Sequence, residues 1–436
     1  MIFRLIQPRT GRCRHAALRA VRSRLPGVNT TDQTPPGDAP RPEIDIGVIL
    51  AGRLPERQRR IATAATTLLQ RELAVRFRHF RFNVPTLRQR DIAESGREES
   101  SRLLRQAADV RTLQRWDYAV LVTGDELIAR RRSYAFAALS RPLDAAIVST
   151  ARVIPLIDAG AQPDEGPSES ILVDRLATLM LHAIAHLGGL GESGERNGLL
   201  FHPESAADLD DMQDFDAAEL AALDAAFVGI ADTRLEESAV APGPRWRFTL
   251  RAAWINREQI RDAVVAARPW EFPQRLSRLT AAAVSILAVL ILTAEVWDLG
   301  LSLSWSRNIV MAALVLIATT AFVVARQQLL MRRFRERREQ LVVTRVSAVL
   351  IVLCGLLVTW FGIFCLALLA GATLFGGELV AEWAASTGVQ AEAVGAGVFL
   401  KMAMFLASIG LLIGSLGASF EDQQHFQHVI FVDEEL

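Results

Sequence analysis

Four apolar runs, each of about bilayer-spanning length, crowd the last third of this chain and set the first limit on its fold: Leu279 to Leu299, Ile309 to Ala325, Val346 to Leu374 and Val398 to Ser419. A water-soluble core has no need of four such runs in succession. They imply an all-α transmembrane bundle over residues 279–419, and the excess of hydrophobic residues, 51% of the 436, is concentrated there. Everything before residue 279 is then a separate body on one side of a lipid bilayer.

Arginine placement predicts which side, because basic residues near span ends stay in the cytoplasm. Between the second and third runs stand Arg326, Arg332, Arg333, Arg335, Arg337, Arg338 and Arg345, whereas the other two connectors carry Glu295, Asp298, Glu378, Glu382 and Glu392 against Arg307 alone. Both termini and the leading domain are therefore expected on the cytoplasmic face of the cell (inner or plasma) membrane. The one clear candidate for a charge well inside a run, Lys401, reads as a side chain snorkelling to the headgroups. Small residues Ala403, Ala407, Gly410, Gly414 and Gly417 stripe the last run. Such a stripe lets another helix approach closely; packing within one bundle is the reading favoured here, and homo-oligomer formation through the last span is its alternative.

Charge excludes one class of function. Forty-eight basic residues balance 48 acidic ones, so no overall field draws the chain to nucleic acid. Cys13, Cys354 and Cys365 show neither disulfide nor metal-ligand spacing. Residues 1–42, arginine-rich and then proline-rich, read as a basic disordered arm, and 420–436 as a cytoplasmic tail.

Between Ile44 and Asp232 short β-rich runs alternate with helical ones, which predicts an α/β (α+β) domain over 43–236. Strands are expected at Ile44–Ala51, Val75–Phe82, Tyr118–Thr123, Tyr134–Leu139 and Ala145–Val153, and helices at Arg57–Leu73, Glu98–Val110, Ser170–Leu190 and Ala206–Ala226. Residues 237–278 form a linker whose Arg245, Arg247, Arg251, Trp246, Trp254, Trp270 and Phe272 suit a position on the headgroups; a plain solvated hairpin and helix is the alternative. In the tail, the β-prone string Val429–Val432 is expected to add a strand to the domain's sheet, and His425 and His428 are read as solvated.

The helix Ser170–Leu190 holds the one chemical constellation. His182 and His186, four apart, project from one face, so both imidazoles can reach one zinc ion. Gly189 lets the helix end in a left-handed turn, and Glu192 then arrives where a third ligand would stand.

The string His182-Ala183-Ile184-Ala185-His186-Leu187-Gly188-Gly189-Leu190-Gly191-Glu192 resembles the metzincin signature HExxHxxGxxH at His182, His186 and Gly189, with Glu192 in place of the third histidine and Ala183 in place of the glutamate. Tyr118–Val153 resembles the strand order of archaemetzincins, and Leu199–Pro203 (LLFHP) the stretch of the methionine turn, with leucines instead of methionine. The resemblance implies a zincin-like fold, a Zn2+ site from His182, His186 and either Glu192 or His202, and a cleft that takes a peptide beside an edge strand. It also implies a lost reaction. The family's glutamate moves the proton from the zinc-bound water to the leaving amine, and alanine cannot; loss of a general base costs about 10²- to 10⁴-fold in rate. The sequence therefore predicts a membrane-tethered pseudo-metallopeptidase that binds a protein or peptide partner. The alternatives are an active zinc peptidase whose base has moved to Glu192, Glu195 or Glu204, and a structural membrane protein with an unrelated α/β domain.

Overall fold

The computed structural model describes residues 41–90, 92, 96–130, 134–154, 167–231, 244–330, 339–386, 395–417 and 423–436. Residues 1–40 of the expected basic arm, Cys13 among them, the connector arginines Arg332, Arg333, Arg335, Arg337 and Arg338, and Glu392 lie outside them. The α/β part contains β1 (Glu43–Ala51), α1 (Glu56–Arg76), β2 (Arg81–Asn83), β3 (Thr86–Gln89), β4 (Arg97–Glu99), α2 (Ser100–Gln114), β5 (Tyr118–Thr123), β6 (Glu126–Ile128), β7 (Ala137–Ser140), β8 (Ala145–Ser149), α3 (Glu169–Leu187), α4 (Asp208–Asp211) and α5 (Ala217–Ile230).

Strands β1, β5 and β8 are parallel neighbours at the centre of the sheet, and every residue of β5, β7 and β8 is buried. Continuous apolar runs such as YAVLVT suit that position, covered on both faces. Strand β1 continues the sheet through β2 along its first residues and β3 along its last, both parallel. At the other side β7 runs antiparallel to β8. Strands β4 and β6 form a separate two-stranded sheet. Helix α3 packs on α1, β7 and β8, while α2 packs on β5 and β8.

Several expected boundaries shift for local reasons. Helix α1 runs on to Arg76, so the strand expected from Val75 shrinks to β2. The apolar run there is spent on an aromatic cluster instead: the Phe77 and Phe82 rings lie 5.0 and 5.3 Å from that of Phe227 on α5. The single helix expected over Ala206–Ala226 is divided into α4 and α5. A new N-terminus forms at Asp216, whose carboxylate accepts from Glu219 N while Glu219 accepts from Asp216 N, a reciprocal capping box.

The helical part contains α6 (Arg245–Ile255), α7 (Arg257–Ala266), α8 (Phe272–Arg275), α9 (Ser277–Ile291), α10 (Ala294–Ser302), α11 (Trp305–Arg326), α12 (Glu339–Leu374), α13 (Gly377–Ser386), α14 (Ala396–Gly417) and α15 (Gln423–Phe431), followed by a short strand β9 (Glu434–Glu435). Among the described residues four helices are long and apolar enough to cross a membrane: α3, α11, α12 and α14. The last three coincide with expected spans. Helix α3 is the histidine helix, two-thirds buried within the α/β part, which accounts for its apolar composition. The run Leu279–Leu299, expected as one span, breaks into α9 and α10. The indole of Trp297 takes up the Ile291 carbonyl freed at the break, at 2.9 Å. Lys401 does not merely reach for the headgroups, because its ammonium donates to the Leu301 carbonyl at the end of α10, 2.7 Å away.

The glycines of the last run pack within the chain. A Cβ on Gly414 would lie 2.6 Å from Ala283 Cβ and 2.9 Å from its Cα, and one on Gly417 would lie 2.9 Å from Ala282 Cβ, both on α9. The backbones of α9 and α14 are in close approach there. Gly414→Val is therefore expected to cost about 1–3 kcal/mol through overpacking against backbone that cannot yield, read as a lower unfolding midpoint of the detergent-solubilised chain. An unchanged midpoint would show that the two helices are not in contact.

The helical and α/β parts form one compact unit, residues 41–436. At 36 residues α12 is about 54 Å long, well beyond a bilayer's hydrocarbon core, and its first turns reach the α/β part: Gln340 Nε2 donates to Trp116 O at 3.3 Å. On α7, Gln259 Nε2 donates to Asp144 Oδ1 at 3.3 Å.

A paired-histidine candidate site

Helix α3 ends as its glycines dictate. Gly189 has φ +99°, its N–H bonds to His186 O at 3.0 Å, and Leu190 N–H bonds back to Ala185 O at 3.2 Å. These are the two bonds of a Schellman termination, which needs a residue free to adopt positive φ. Arg141, one residue past β7, fastens the end: its Nε donates to His186 O at 3.0 Å and its Nη2 to Leu190 O at 2.9 Å.

The two histidines lie together inside the domain, 0% and 1% exposed, with ring centroids 4.5 Å apart. The His182 Nδ1 lies 2.6 Å from Leu199 O. A carbonyl can only accept, so the proton is on Nδ1. Burial, followed by the proximity of His186 and His202, holds the His182 pKa well below the ordinary histidine value despite the Leu199 bond. The ring is thus neutral, with its lone pair on Nε2. His186 Nδ1 lies 2.6 Å from Glu434 Oε2. Neither His182 Nε2 nor His186 Nε2 has a hydrogen-bond partner.

Glu434 comes from β9, and burial pushes its carboxyl up, but His186, Arg141 and Arg268 together hold it below the usual range. The other two expected ligands are placed differently. His202 Nδ1 lies 3.3 Å from Glu192 Oε1, and the Glu192 side chain is half exposed. They pair with each other. Among the described residues no three His, Cys, Asp or Glu side chains are gathered so as to hold a metal ion. The donor set therefore fits zinc by half: two imidazoles each with one ring nitrogen against an oxygen, as metal-ligating histidines have, while Glu434 lies against His186 and His202 faces Glu192.

Ala183, at the position of the family's base, is fully buried, and the alternatives Glu195 and Glu204 are exposed. Leu199 and Leu200 are buried at 1% each, and the Leu199 carbonyl lies against His182, so the LLFHP stretch does pass beside the histidine helix. Sequence reasoning missed three participants: the Leu199 carbonyl, Arg141 and Glu434. A backbone acceptor leaves no mark in a sequence, and nothing singles out Arg141 among the 47 arginines of the chain; the β-prone, acidic end of the chain was the one legible hint to Glu434.

The tail histidines are also placed by acceptors rather than by water. His428, 5% exposed, lies 3.0 Å from Glu435 Oε1, and His425 Nε2 lies 3.1 Å from Arg275 O. The string Val429–Val432, expected as a strand, belongs mostly to α15, and pairing with the sheet begins after it.

No family model matches this sequence, and no curated protein matches it. Among solved structures the chain is similar to an archaemetzincin from Methanopyrus kandleri, with 17% identity and a TM-score of 0.34 over 44% of this chain and 98% of that one. It is also similar to a zinc-dependent peptidase from Methanocorpusculum labreanum (18%, 0.31, 41% and 99%) and to an archaemetzincin from Archaeoglobus fulgidus complexed with malonate (16%, 0.30, 41% and 99%).

Proposed function

We propose that the chain is a membrane-anchored, metzincin-like domain that binds an extended peptide segment and does not hydrolyse it. One observation carries the reading. His182 and His186 lie together with both Nε2 atoms unbonded, yet alanine stands between them in the sequence, and the residues expected to complete the set, Glu192 and His202, are turned to each other. A zinc site of the hydrolytic kind has three protein donors and an open fourth position; two imidazoles alone neither hold the ion firmly nor supply a base. What remains for recognition is the antiparallel β7 side of the sheet, next to α3.

The anchoring is supported by the outer faces of the bundle. Ile309, Val310, Leu314 and Ile317 on α11 and Phe361 and Leu369 on α12 are each more than half exposed, apolar surface suited to lipid. Trp246, Trp254 and Trp270 are likewise exposed before α9, as headgroup contacts require, whereas Phe272 is buried. The arginine asymmetry of the connectors supports the cytoplasmic side for the α/β part.

The test is zinc content and peptide hydrolysis of the full-length protein in detergent, beside His182→Ala and His186→Ala. The expected result is no zinc retained through purification and no hydrolysis in any of the three. Stoichiometric zinc lost in both variants, together with cleavage, would overturn the reading in favour of an active peptidase.

A further inference from the structure

The outer edge of β7 is not bare. Strand β9 pairs with it antiparallel, Glu435 opposite Ala138 and Glu434 opposite Leu139. The backbone bonds continue on either side of the pair: Asp433 N–H to Leu139 O and Leu436 N–H to Ala137 O, each 2.9 Å. An edge strand with free backbone groups commonly receives such an added strand.

The acidic side chains of this segment are each met by a specific group. Asp433 Oδ2 accepts from Arg141 N at 2.6 Å. Glu434 lies between His186, at 2.6 Å, and Arg141, at 3.6 Å. Glu435 accepts from Arg130 N at 3.1 Å through both oxygens, and lies 3.0 Å from His428. Asp433 and Glu435 are only 3% and 5% exposed, and Leu436 beyond them 1%. Burying carboxylates is unfavourable unless each one is paired. Simple protection of a sheet edge calls for none of this; a lysine or a proline on the edge suffices.

We infer that the β7 edge beside His182 and His186 is a recognition strip for an extended acidic peptide of the pattern Asp-Glu-Glu-Leu, and that the chain's own residues 433–436 fill it. This rests on the peptide-binding reading of the same strand, β7. The segment follows α15, which packs on α2 and α12, so the strip is coupled to the helical bundle. A partner peptide gains access when residues 433–436 leave.

The experiment uses the full chain in detergent and a chain lacking residues 433–436, each titrated with a fluorescent peptide Val-Ile-Phe-Val-Asp-Glu-Glu-Leu and its amide counterpart Val-Ile-Phe-Val-Asn-Gln-Gln-Leu. A tethered segment competes at an effective concentration in the millimolar range, worth about 10²-fold or more. The shortened chain is expected to bind the acidic peptide at least about 10²-fold more tightly than the full chain does, and to prefer it to the amide peptide. A full-length variant, Glu434→Arg with Glu435→Arg, is expected to gain the same binding without a deletion. If both altered chains keep the unfolding midpoint of the parent and take up no peptide, the inference is overturned. Unfolding of both would overturn it equally, by showing the segment to be core and not a displaceable occupant. Zinc or hydrolysis found in the parent protein would sink the non-catalytic reading while leaving peptide uptake to decide this one.

Discussion

Asp144→Ala is expected to destabilise the protein by about 3–5 kcal/mol, the range for removing one partner of a buried ion pair. Asp144 occupies the turn between β7 and β8 at φ 42°, and its Oδ2 takes the guanidinium of Arg111, which is 1% exposed on α2. An arginine cannot escape by losing its proton. The other oxygen accepts from Gln259 on α7, so the same substitution also loosens the helical part from the sheet. Alanine lacks in addition the short polar side chain that makes positive φ tolerable. The double variant Arg111→Met with Asp144→Asn removes the stranded charge, keeps a partner for Gln259, and is expected to recover most of the loss. Chemical or thermal unfolding of the full chain measures both. A cost below about 1 kcal/mol for the single variant, the value of an exposed pair, would mean that water reaches Arg111.

How much of this architecture the sequence discloses depends on whether the deciding interaction is local. The central strands β1 and β5 are legible because two-sided burial demands an unbroken apolar run, and IDIGVILA and YAVLVT have nothing else to be. The Gly189 termination of α3 is legible for a similar reason, since a left-handed position calls for glycine. Val75–Phe82 misleads because the aromatic residues that look strand-like are claimed by Phe227, far along the chain. The break at Asp216 was readable, Asp-x-x-Glu being a capping box, but the acidic residues before it mask the signal. The break after Ile291 has no proline or glycine to announce it; a tryptophan six residues on supplies the missing donor.

The site divides along the same line. HxxxH shows in the sequence because both residues lie on one helix face, and Ala183 stands where the resemblance would put a glutamate. What orients the two rings does not show: a carbonyl at Leu199, and a carboxylate at Glu434 brought back across the whole chain by α15 and β9. The expectation that the tail adds a strand was sound in kind and displaced in register, because Val429–Phe431 continue α15 and only the acidic residues after them are extended. Hydrophobic β-propensity alone could not foresee that acidic residues would be the ones paired, since their partners, His186, Arg130 and Arg141, lie elsewhere in the sequence.

Placing at 183 the glutamate that the resemblance expects tests whether the proposed site lacks only a base or is incomplete. Ala183→Glu is expected to lower stability by several kcal/mol, roughly the effective penalty for an ion taken out of water, and to yield no hydrolysis. Ala183 is fully buried among Leu179, Ile184 and Leu187 on the same helix and the core beneath it, so an added carboxyl group enters an apolar interior and is driven toward its neutral form. Hydrolysis is not regained because a base needs an activated water to act on, and two imidazoles do not supply the three donors that hold the ion at a hydrolytic site. The comparison is made with excess zinc, in the full chain and in the chain lacking residues 433–436, so that an occupied β7 edge is not what prevents turnover. Thermal unfolding reports the stability term and cleavage of an unstructured peptide the catalytic one. A rise of about 10²- to 10⁴-fold in cleavage, with little loss of stability, would show that Glu192 or His202 swings in to complete the set and that alanine at 183 is the whole of the defect.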